Sequence, residues 1–504
     1  MMPSAYQSAV LDFVSNGSGN ALIQAVAGSG KTTTLLQVCE RIKGRCVALM
    51  FNKKIQTEFD SRLKKAGISH VDAKTVHSLG FGAYRKRFGS VNISDTKVRD
   101  IVQASFASED LKFYGSFVSK LVSLAKDAGF GIGGNFPAIG NSQAWLNLIN
   151  HHDLDLDYDD ASYDRAIELA QGVLKASNGD LKVIDFSDMV YLPLLTGTKL
   201  PTYDWVLVDE CQDLSLLRQA MIRAVLPLSG RAVFVGDRGQ AIYGFTGADA
   251  NAMENIKSDF NATELPLSIC YRCSKAVIDY VKPFYPTIEA SESAVEGSVS
   301  SIEFKNLFEQ TFTGSDAILC RNNAPLIKTA FRLIAKGVGC RIEGRDIGLS
   351  LIKLAKRWKV KSLNSLSDRL ATYQERETQK LRAKGRDSAV ASLEDKVECL
   401  RALIAKCQGD NQHSLEDLES LILRMFSDGN NNPNPNLVTL CSSHKSKGLE
   451  WERVFVLGRG DFMPSPWATK DWMKVQETNL IYVTLTRAKV SLVEVTGVKE
   501  GLVS

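Results

Sequence analysis

Two stretches of this sequence have the residue types and spacing for phosphate chemistry. Residues 25–34 read AVAGSGKTTT. There Gly28 and Gly30 let backbone N–H groups close on phosphate oxygens, Lys31 sets a point charge against the β and γ phosphates, and the Thr32 hydroxyl suits Mg²⁺. Ala25 stands where the strict eight-residue pattern has its first glycine. The second stretch, WVLVDECQDLS at 205–215, ends an apolar run in Asp209 and Glu210. A carboxylate at the tip of a buried strand beside a phosphate loop holds Mg²⁺ through water, and a second one orients and deprotonates an attacking water. Loop and carboxylate pair together imply ATP hydrolysis and not binding alone.

Other chemistry-bearing residues fall short of a site. Cys270 and Cys273 form a CxxC with no second pair, whereas structural zinc takes four ligands. HHDLDLDYDD at 151–160 resembles the start of a calcium loop, but Tyr158 stands where the sharp turn needs glycine and Asp164 replaces the closing glutamate. The basic runs KLAKRWKVK (353–361) and RETQKLRAKGR (376–386) read first as solvated helix faces, with a phosphate-tracking surface as the alternative.

The elements that must position the two stretches are legible around them. NALIQAVAG (20–28) is a β-rich run entering a glycine turn, and TTTLLQVCERI (32–42) continues with helical spacing of Leu35, Leu36, Cys39 and Ile42. Further short apolar strands are predicted at 46–51, 205–210, 232–237, 317–320, 437–441, 453–458 and 491–495. Near-continuous apolar strands separated by helical stretches imply parallel sheets covered on both faces, and the strands fall into two clusters. Helical, charge-rich stretches at about 84–180 and 351–434 interrupt the series, the second ending in GNNNPNPN (429–436), a linker by composition.

With 504 residues, 44% of them hydrophobic, the chain can bury sizeable cores. The longest apolar runs fall far short of the ~20 residues that span a bilayer, and MMPSAYQSAV lacks a basic-then-apolar signal pattern, so neither membrane nor export is expected. Ten scattered cysteines fit reduced thiols in a cytosol. A net charge of +4 permits a polyanionic partner without requiring one.

Six motifs in order resemble the UvrD/Rep-like superfamily 1 DNA helicases. Besides AVAGSGKT and DECQD they are VGDRGQAIYGFTGAD (235–249), LSICYRCS (267–274), SSHKSKGLEWERVFVL (442–457) and LIYVTLTRAK (480–489). FNKKIQTEF (51–59) and KTVHSLGFGAY (74–84) look like the early DNA-contacting motifs of F-box DNA helicases and compact phage or bacterial relatives. The resemblance implies an α/β fold of two RecA-like parallel-sheet domains, each with a helical insertion. The first domain would take 1–83 and 181–265 around an insertion at 84–180, and the second 266–350 and 435–504 around one at 351–434.

What the resemblance implies for single residues follows motif by motif. ATP and Mg²⁺ would be held by the loop residues Ala27, Gly28, Ser29, Gly30, Lys31, Thr32 and Thr33, with Thr32 and Asp209 toward the metal. Gln7 would read the adenine edge, Tyr271 would stack on the base and Glu450 would contact the ribose. Lys31, Asp209, Glu210, Gln240, Arg272 and Arg487 would carry catalysis, Gln240 sensing the γ-phosphate and the two arginines acting as fingers. Single-stranded DNA would stack on Phe51 and Phe245 and run past Asn52, Thr75, His77, Ser442, His444 and Lys447.

The resemblance further implies a 3′–5′ helicase or translocase acting on single-stranded DNA and single-strand/duplex junctions, in replication, recombination or repair. The setting would be a cytoplasmic nucleoid or a nucleus, other replication or repair proteins could be partners, and no oligomer is required. A translocase that strips proteins without efficient unwinding, and the helicase subunit of a nuclease or defence complex, are the alternatives. Two positions depart from the family pattern, Thr33 and Thr246 standing where arginine is frequent. Only 17 residues follow Arg487, so no C-terminal nuclease is expected.

Overall fold

The computed structural model describes residues 3–503 except 153, 157, 159, 160, 245–250, 361, 384–386 and 428–436. Phe245, Thr246, part of the calcium-like stretch and the 429–436 linker therefore lie outside the described residues. The chain divides into two compact units, residues 1–25 with 30–267 and residues 26–29 with 268–504.

The first unit is built on a six-stranded sheet. Its spatial order is Val71–Thr75, Cys46–Met50, Trp205–Val208, Arg231–Gly236, Asn20–Ala25 and Ala262–Leu267, and every pairing is parallel. Side chains alternate across a strand, so both faces must be apolar if both are covered. They are: Ala21, Ile23, Ala48, Leu207, Val233 and Val235 join a core on one face with Val10, Leu35, Val38 and Phe59. Leu22, Val47, Leu49, Val206, Val208 and Phe234 enter the opposite core. That second core continues into the helices Lys97–Ser105, Ser108–Asp127, Ser142–His151 and Tyr163–Gly179 through Val98, Leu121, Trp145, Ile167 and Leu174. The first helical insertion thus shares a core with the sheet it interrupts.

A buried ionic cluster fastens this insertion. Lys126 Nζ lies 2.5 Å from Asp185 and 2.7 Å from Asp188, and Lys97 Nζ lies 2.7 Å from Asp188, with Lys97, Lys126 and Asp188 essentially inaccessible to water. Alternating cations and carboxylates compensate each other where single charges would be prohibitive.

The second unit has a seven-stranded sheet, also parallel at every pairing. Its order is Ser298–Glu303, Ala488–Thr496, Trp451–Leu457, Asp316–Cys320, Val438–Ser442, Cys340–Glu343 and Phe426–Ser427. The helices Leu363–Ala383, Asp387–Gly409 and Leu415–Met425 form its insertion and share Leu366, Leu400, Leu403 and Ile422 with one core under the sheet. The first basic run borders a groove of about 980 Å³ here, where Arg357 lies over the Tyr373 ring at 4.9 Å and Lys356 pairs with Glu419 at 2.7 Å. No helix among the described residues is long and apolar enough to cross a membrane.

Candidate nucleotide and nucleic-acid site

The strand order of the first sheet decides which residues can meet. In open parallel sheets ligands collect at the carboxyl ends of the strands. Asn20–Ala25 leads into the phosphate loop, the neighbouring Arg231–Gly236 leads into Asp237, and the next strand, Trp205–Val208, leads into Asp209 and Glu210. Three adjacent strand ends therefore carry the phosphate-binding and carboxylate groups. The two strands beyond them end in Phe51 and Asn52 and in Thr75, His77 following in the next helix.

Within the loop Gly28 and Gly30 have φ of +68° and +79°, left-handed values that a side chain disfavours. The helix Lys31–Arg41 starts at Gly30 with no side-chain cap, which leaves its first N–H groups for an anion. Thr32 is half-buried and Thr33 exposed, while Thr34 is buried and accepts Gln7 Nε2 at 3.1 Å. Gln7 Oε1 accepts the Ser4 N–H at 3.0 Å, so the predicted adenine reader is fixed in orientation from both ends of its amide.

Lys31, Glu210 and Gln240 are joined by one chain of contacts. Lys31 Nζ lies 3.1 Å from the Glu210 carboxylate. Burial alone would lower the Lys31 pKa, but the charges of Glu210, Asp237 and Asp209 outweigh it and hold the ammonium above its ordinary value. Glu210 also accepts a hydrogen bond from Gln212 Nε2. Gln212 Oε1 accepts the Asp237 N–H at 3.0 Å, and Asp237 Oδ2 accepts Gln240 Nε2 at 2.7 Å. Gln212 and Asp237 were missed as site residues; the motifs DECQD and VGDRGQ contain them, but only the structure shows that they link carboxylate to glutamine. Glu210 itself sits at φ +53°, a left-handed conformation uncommon outside glycine and enriched at functional sites.

Asp209 is buried beside Glu210, and burial followed by the Glu210 charge pushes its carboxyl up to about 7. A buried carboxylate next to a second one is a site that a hard dication would stabilise, and Thr32 adds a hydroxyl oxygen, so these donors fit Mg²⁺. Among the described residues no group of three or more His, Cys, Asp or Glu side chains is gathered for a metal. Phosphate and water would complete the coordination.

Toward the far strands, Phe51 and Tyr243 face each other with ring centroids 6.3 Å apart and planes 9° from parallel. Asn52 Oδ1 accepts the Ile55 N–H at 2.9 Å and Thr75 Oγ1 the Ser78 N–H at 3.1 Å, so both predicted backbone contacts are also helix N-caps. His77 stacks on Phe186 at 4.1 Å, and burial with the Arg218 charge brings its pKa down to about 4. Phe51, His77 and Tyr243 border a cavity of about 100 Å³ with Asp127, Asp213 and Arg218. Tyr243 was missed as well; its ring two residues before Phe245 was the available signal.

In the second unit the predicted residues occupy opposite ends of the sheet. Arg487 and Glu450 immediately precede the paired strands Ala488–Thr496 and Trp451–Leu457. Arg272 Nε lies 2.6 Å from Glu450, while Arg272 Nη1 is buried with no hydrogen-bond partner among the described residues. Arg487 is fully buried, donating to the Val483 and Leu449 carbonyls and the Thr486 hydroxyl at 2.8, 3.1 and 3.1 Å. Tyr271 is exposed. Ser442 closes the strand Val438–Ser442, and His444 and Lys447 lie in the turns that follow. Burial, then the Arg321 charge, lowers His444 to about 3, so it is neutral at pH 7.

Fold and strand-end motifs define an α/β protein of two parallel-sheet units in which the strand Asn20–Ala25 leads into a glycine-rich phosphate-loop sequence. Residues 7–261 match the family model of the UvrD/REP helicase N-terminal domain and residues 250–496 that of the UvrD-like helicase C-terminal domain. The chain belongs to the UvrD/Rep helicase family. It is 27% identical over 305 residues to the ATP-dependent DNA helicase Rep of Buchnera aphidicola, which covers 55% of this chain and 42% of that protein. With the ATP-dependent DNA helicase UvrD2 of Mycobacterium tuberculosis it shares 24% over 542 residues, 94% of this chain and 76% of the other. With the F-box DNA helicase protein 1 of Schizosaccharomyces pombe it shares 24% over 513 residues, 94% and 55% of the two chains. The chain thus spans from under half to about three quarters of these relatives' lengths.

Proposed function

We propose that the protein is an ATP-dependent DNA helicase or translocase that moves 3′ to 5′ on single-stranded DNA. The observation that carries this reading is the contact chain Lys31–Glu210–Gln212–Asp237–Gln240, which joins phosphate cation, base and γ-phosphate sensor at three neighbouring strand ends. Family membership supports DNA as the substrate class, and the 3′ to 5′ direction is part of the proposal.

The residues support a definite division of labour. A γ-phosphate competes with Glu210 for the Lys31 ammonium, and on winning it frees the Glu210 carboxylate to orient and deprotonate a water. Gln212 keeps that carboxylate aligned while Gln240, tied to Asp237, takes the other side of the phosphate. Mg²⁺ held by Thr32 and Asp209 would supply charge neutralisation on the phosphate oxygens. Arg272, whose buried Nη1 has no hydrogen-bond partner among the described residues, and Arg487 are assigned as the arginine fingers, Tyr271 as the base platform and Glu450 as the ribose contact. The Phe51 and Tyr243 rings are nearly parallel with centroids 6.3 Å apart, and they are assigned as two faces for one base. Asn52, Thr75, His77, Ser442, His444 and Lys447 are assigned to the strand's backbone.

Strand separation on duplexes with a 3′ or a 5′ tail, run beside ATPase rates with and without single-stranded DNA, tests the proposal. Unwinding of the 3′-tailed duplex alone is expected. Preference for the 5′ tail would overturn the direction. ATPase indifferent to DNA would overturn the motor reading, and DNA-stimulated ATPase without unwinding would leave a protein-stripping translocase.

A further inference from the structure

Arg272 lies between two cysteines that the reading above does not use. Cys270 ends the short strand Ile269–Cys270, and Cys273 is the last residue of the bend at 271–273. The Cys273 backbone N–H donates to the Cys270 sulfur at 3.5 Å, and the Cys273 S–H donates to the Thr486 carbonyl, also at 3.5 Å. Thr486 in turn accepts Arg487 Nη2 on its hydroxyl at 3.1 Å. One pair of thiols therefore brackets Tyr271 and Arg272 and also holds the residue next to Arg487.

We propose that Cys270 and Cys273 are an oxidation site, closed to a disulfide by a hydroperoxide, whose closure locks the Tyr271–Arg272 bend and takes the S–H donor from Thr486. The consequence for ATP hydrolysis rests on the roles proposed above for Arg272 and Arg487.

The two sulfurs differ in the way such a reaction requires. The Cys273 thiol, whose single S–H is shared between Cys270 and the Thr486 carbonyl, draws Cys270 down to about 7 against its burial, helped by the Cys273 and Arg272 N–H groups and the Arg272 charge. Cys273 is shifted up, first by its hydrogen bond to Cys270 and then by burial. The other eight cysteines are all shifted up, chiefly by burial, so Cys270 is the thiol with the most thiolate at neutral pH. Cys270 and Cys273 are 0% and 2% exposed, which selects a small neutral oxidant over a bulky disulfide.

The steps balance as follows. The Cys270 thiolate attacks one peroxide oxygen; the O–O bond breaks, a sulfenic acid forms, and the departing hydroxide takes up the proton that the Cys270 thiol released on ionising and leaves as water. Cys273, giving up its proton, attacks the Cys270 sulfur; the S–S bond forms, the S–O bond breaks and the second hydroxide leaves with that proton as water. Two thiols are oxidised and one hydrogen peroxide is reduced to two waters.

The test treats the full chain with hydrogen peroxide, maps alkylated and disulfide-linked peptides after unfolding, and follows DNA-stimulated ATPase before and after dithiothreitol. The expected result is a Cys270–Cys273 peptide link with ATPase at least ~10-fold lower, given what arginine fingers contribute, and recovery on reduction. Cys270→Ser and Cys273→Ser should each keep their own untreated rate in peroxide. The proposal is overturned if both cysteines of the treated protein still alkylate, if the link forms with no change in rate, or if the serine variants lose activity equally. Arg272→Ala separates the two readings: an undiminished rate there removes the finger assignment, while the peptide map still decides the disulfide.

Discussion

Replacing Gln212 by Met tests whether the link between carboxylate and glutamine belongs to catalysis or only to folding. Methionine matches glutamine in length but offers neither group: Glu210 loses the Nε2 donor, and the Asp237 N–H loses the Oε1 acceptor at 3.0 Å. Gln212 is 2% exposed and Asp237 0%, so no water replaces that acceptor, and the orphaned N–H costs about 1–3 kcal/mol of stability. The bond to Glu210 is charge-assisted, worth ~1.5–3 kcal/mol. If it is realised in the transition state, kcat falls roughly 10- to 150-fold at 1.36 kcal/mol per decade. Lys31 and the phosphate loop are untouched, so nucleotide affinity should stay within about threefold by the same arithmetic. Single-turnover hydrolysis at saturating Mg·ATP and DNA gives the first quantity, a fluorescent nucleotide titration the second and a urea midpoint the third. A lowered midpoint with kcat unchanged would show that Gln212 is structural and would refute the reasoning. Gln212→Glu sharpens the comparison, since it keeps an acceptor for Asp237 but sets a like charge against Glu210.

Three further outcomes follow from the same geometry. Phe51→Ala and Tyr243→Ala should each weaken single-stranded DNA binding by ~1–3 kcal/mol, and the double variant by less than the sum, because the facing rings share one base; fluorescence anisotropy at fixed salt measures it, and full additivity would argue for two independent contacts. Asp209 holds its proton up to about 7 in the native chain against ~3.9 unfolded, so the native state binds more protons between those values and stability falls as pH rises through that window. Asp209→Asn, neutral throughout, should remove that fall and exceed the parent in urea midpoint at pH ~8 in EDTA; equal midpoints at high pH would disprove the shift. Lys126→Met leaves Asp185 and Asp188 short of one buried cation and should cost ~3–5 kcal/mol, read by denaturant unfolding, whereas a loss below ~1 kcal/mol would mean Lys97 alone compensates them.

The parallel sheets were legible because their central strands are apolar on both faces, as in CVALM and WVLV, where nearly every residue is buried. Val71–Thr75, Ala262–Leu267 and Ser298–Glu303 were not legible as strands. Each lies at the edge of its sheet and keeps exposed polar residues, so VDAKT, ATELPL and SVSSIE lack the apolar run that signals a covered strand. The candidate site divides similarly. Lys31, Asp209 and Glu210 announce themselves by side-chain chemistry next to a strand. Gln212 and Tyr243 have ordinary side chains, and their part depends on which atoms the fold brings to 3 Å or to a parallel face, which spacing does not encode.

The order of the strands also offers a physical route by which DNA could stimulate hydrolysis. Cys46–Met50 pairs directly with Trp205–Val208, and the pairing runs on past the strand end, with the Asp209 N–H donating to the Leu49 carbonyl at 3.0 Å. Phe51 follows two residues after Leu49. On the proposed DNA reading, a base stacked on Phe51 bears on backbone that is hydrogen-bonded to Asp209, and Glu210 comes next in the chain, held in a left-handed conformation. Because Gln212 ties Glu210 on to Asp237 and Gln240, a displacement at Phe51 would bear on the whole contact chain. On this route Phe51→Ala lowers the DNA-stimulated rate and spares the basal one, whereas a route through the fingers alone leaves the stimulated rate intact once DNA is saturating.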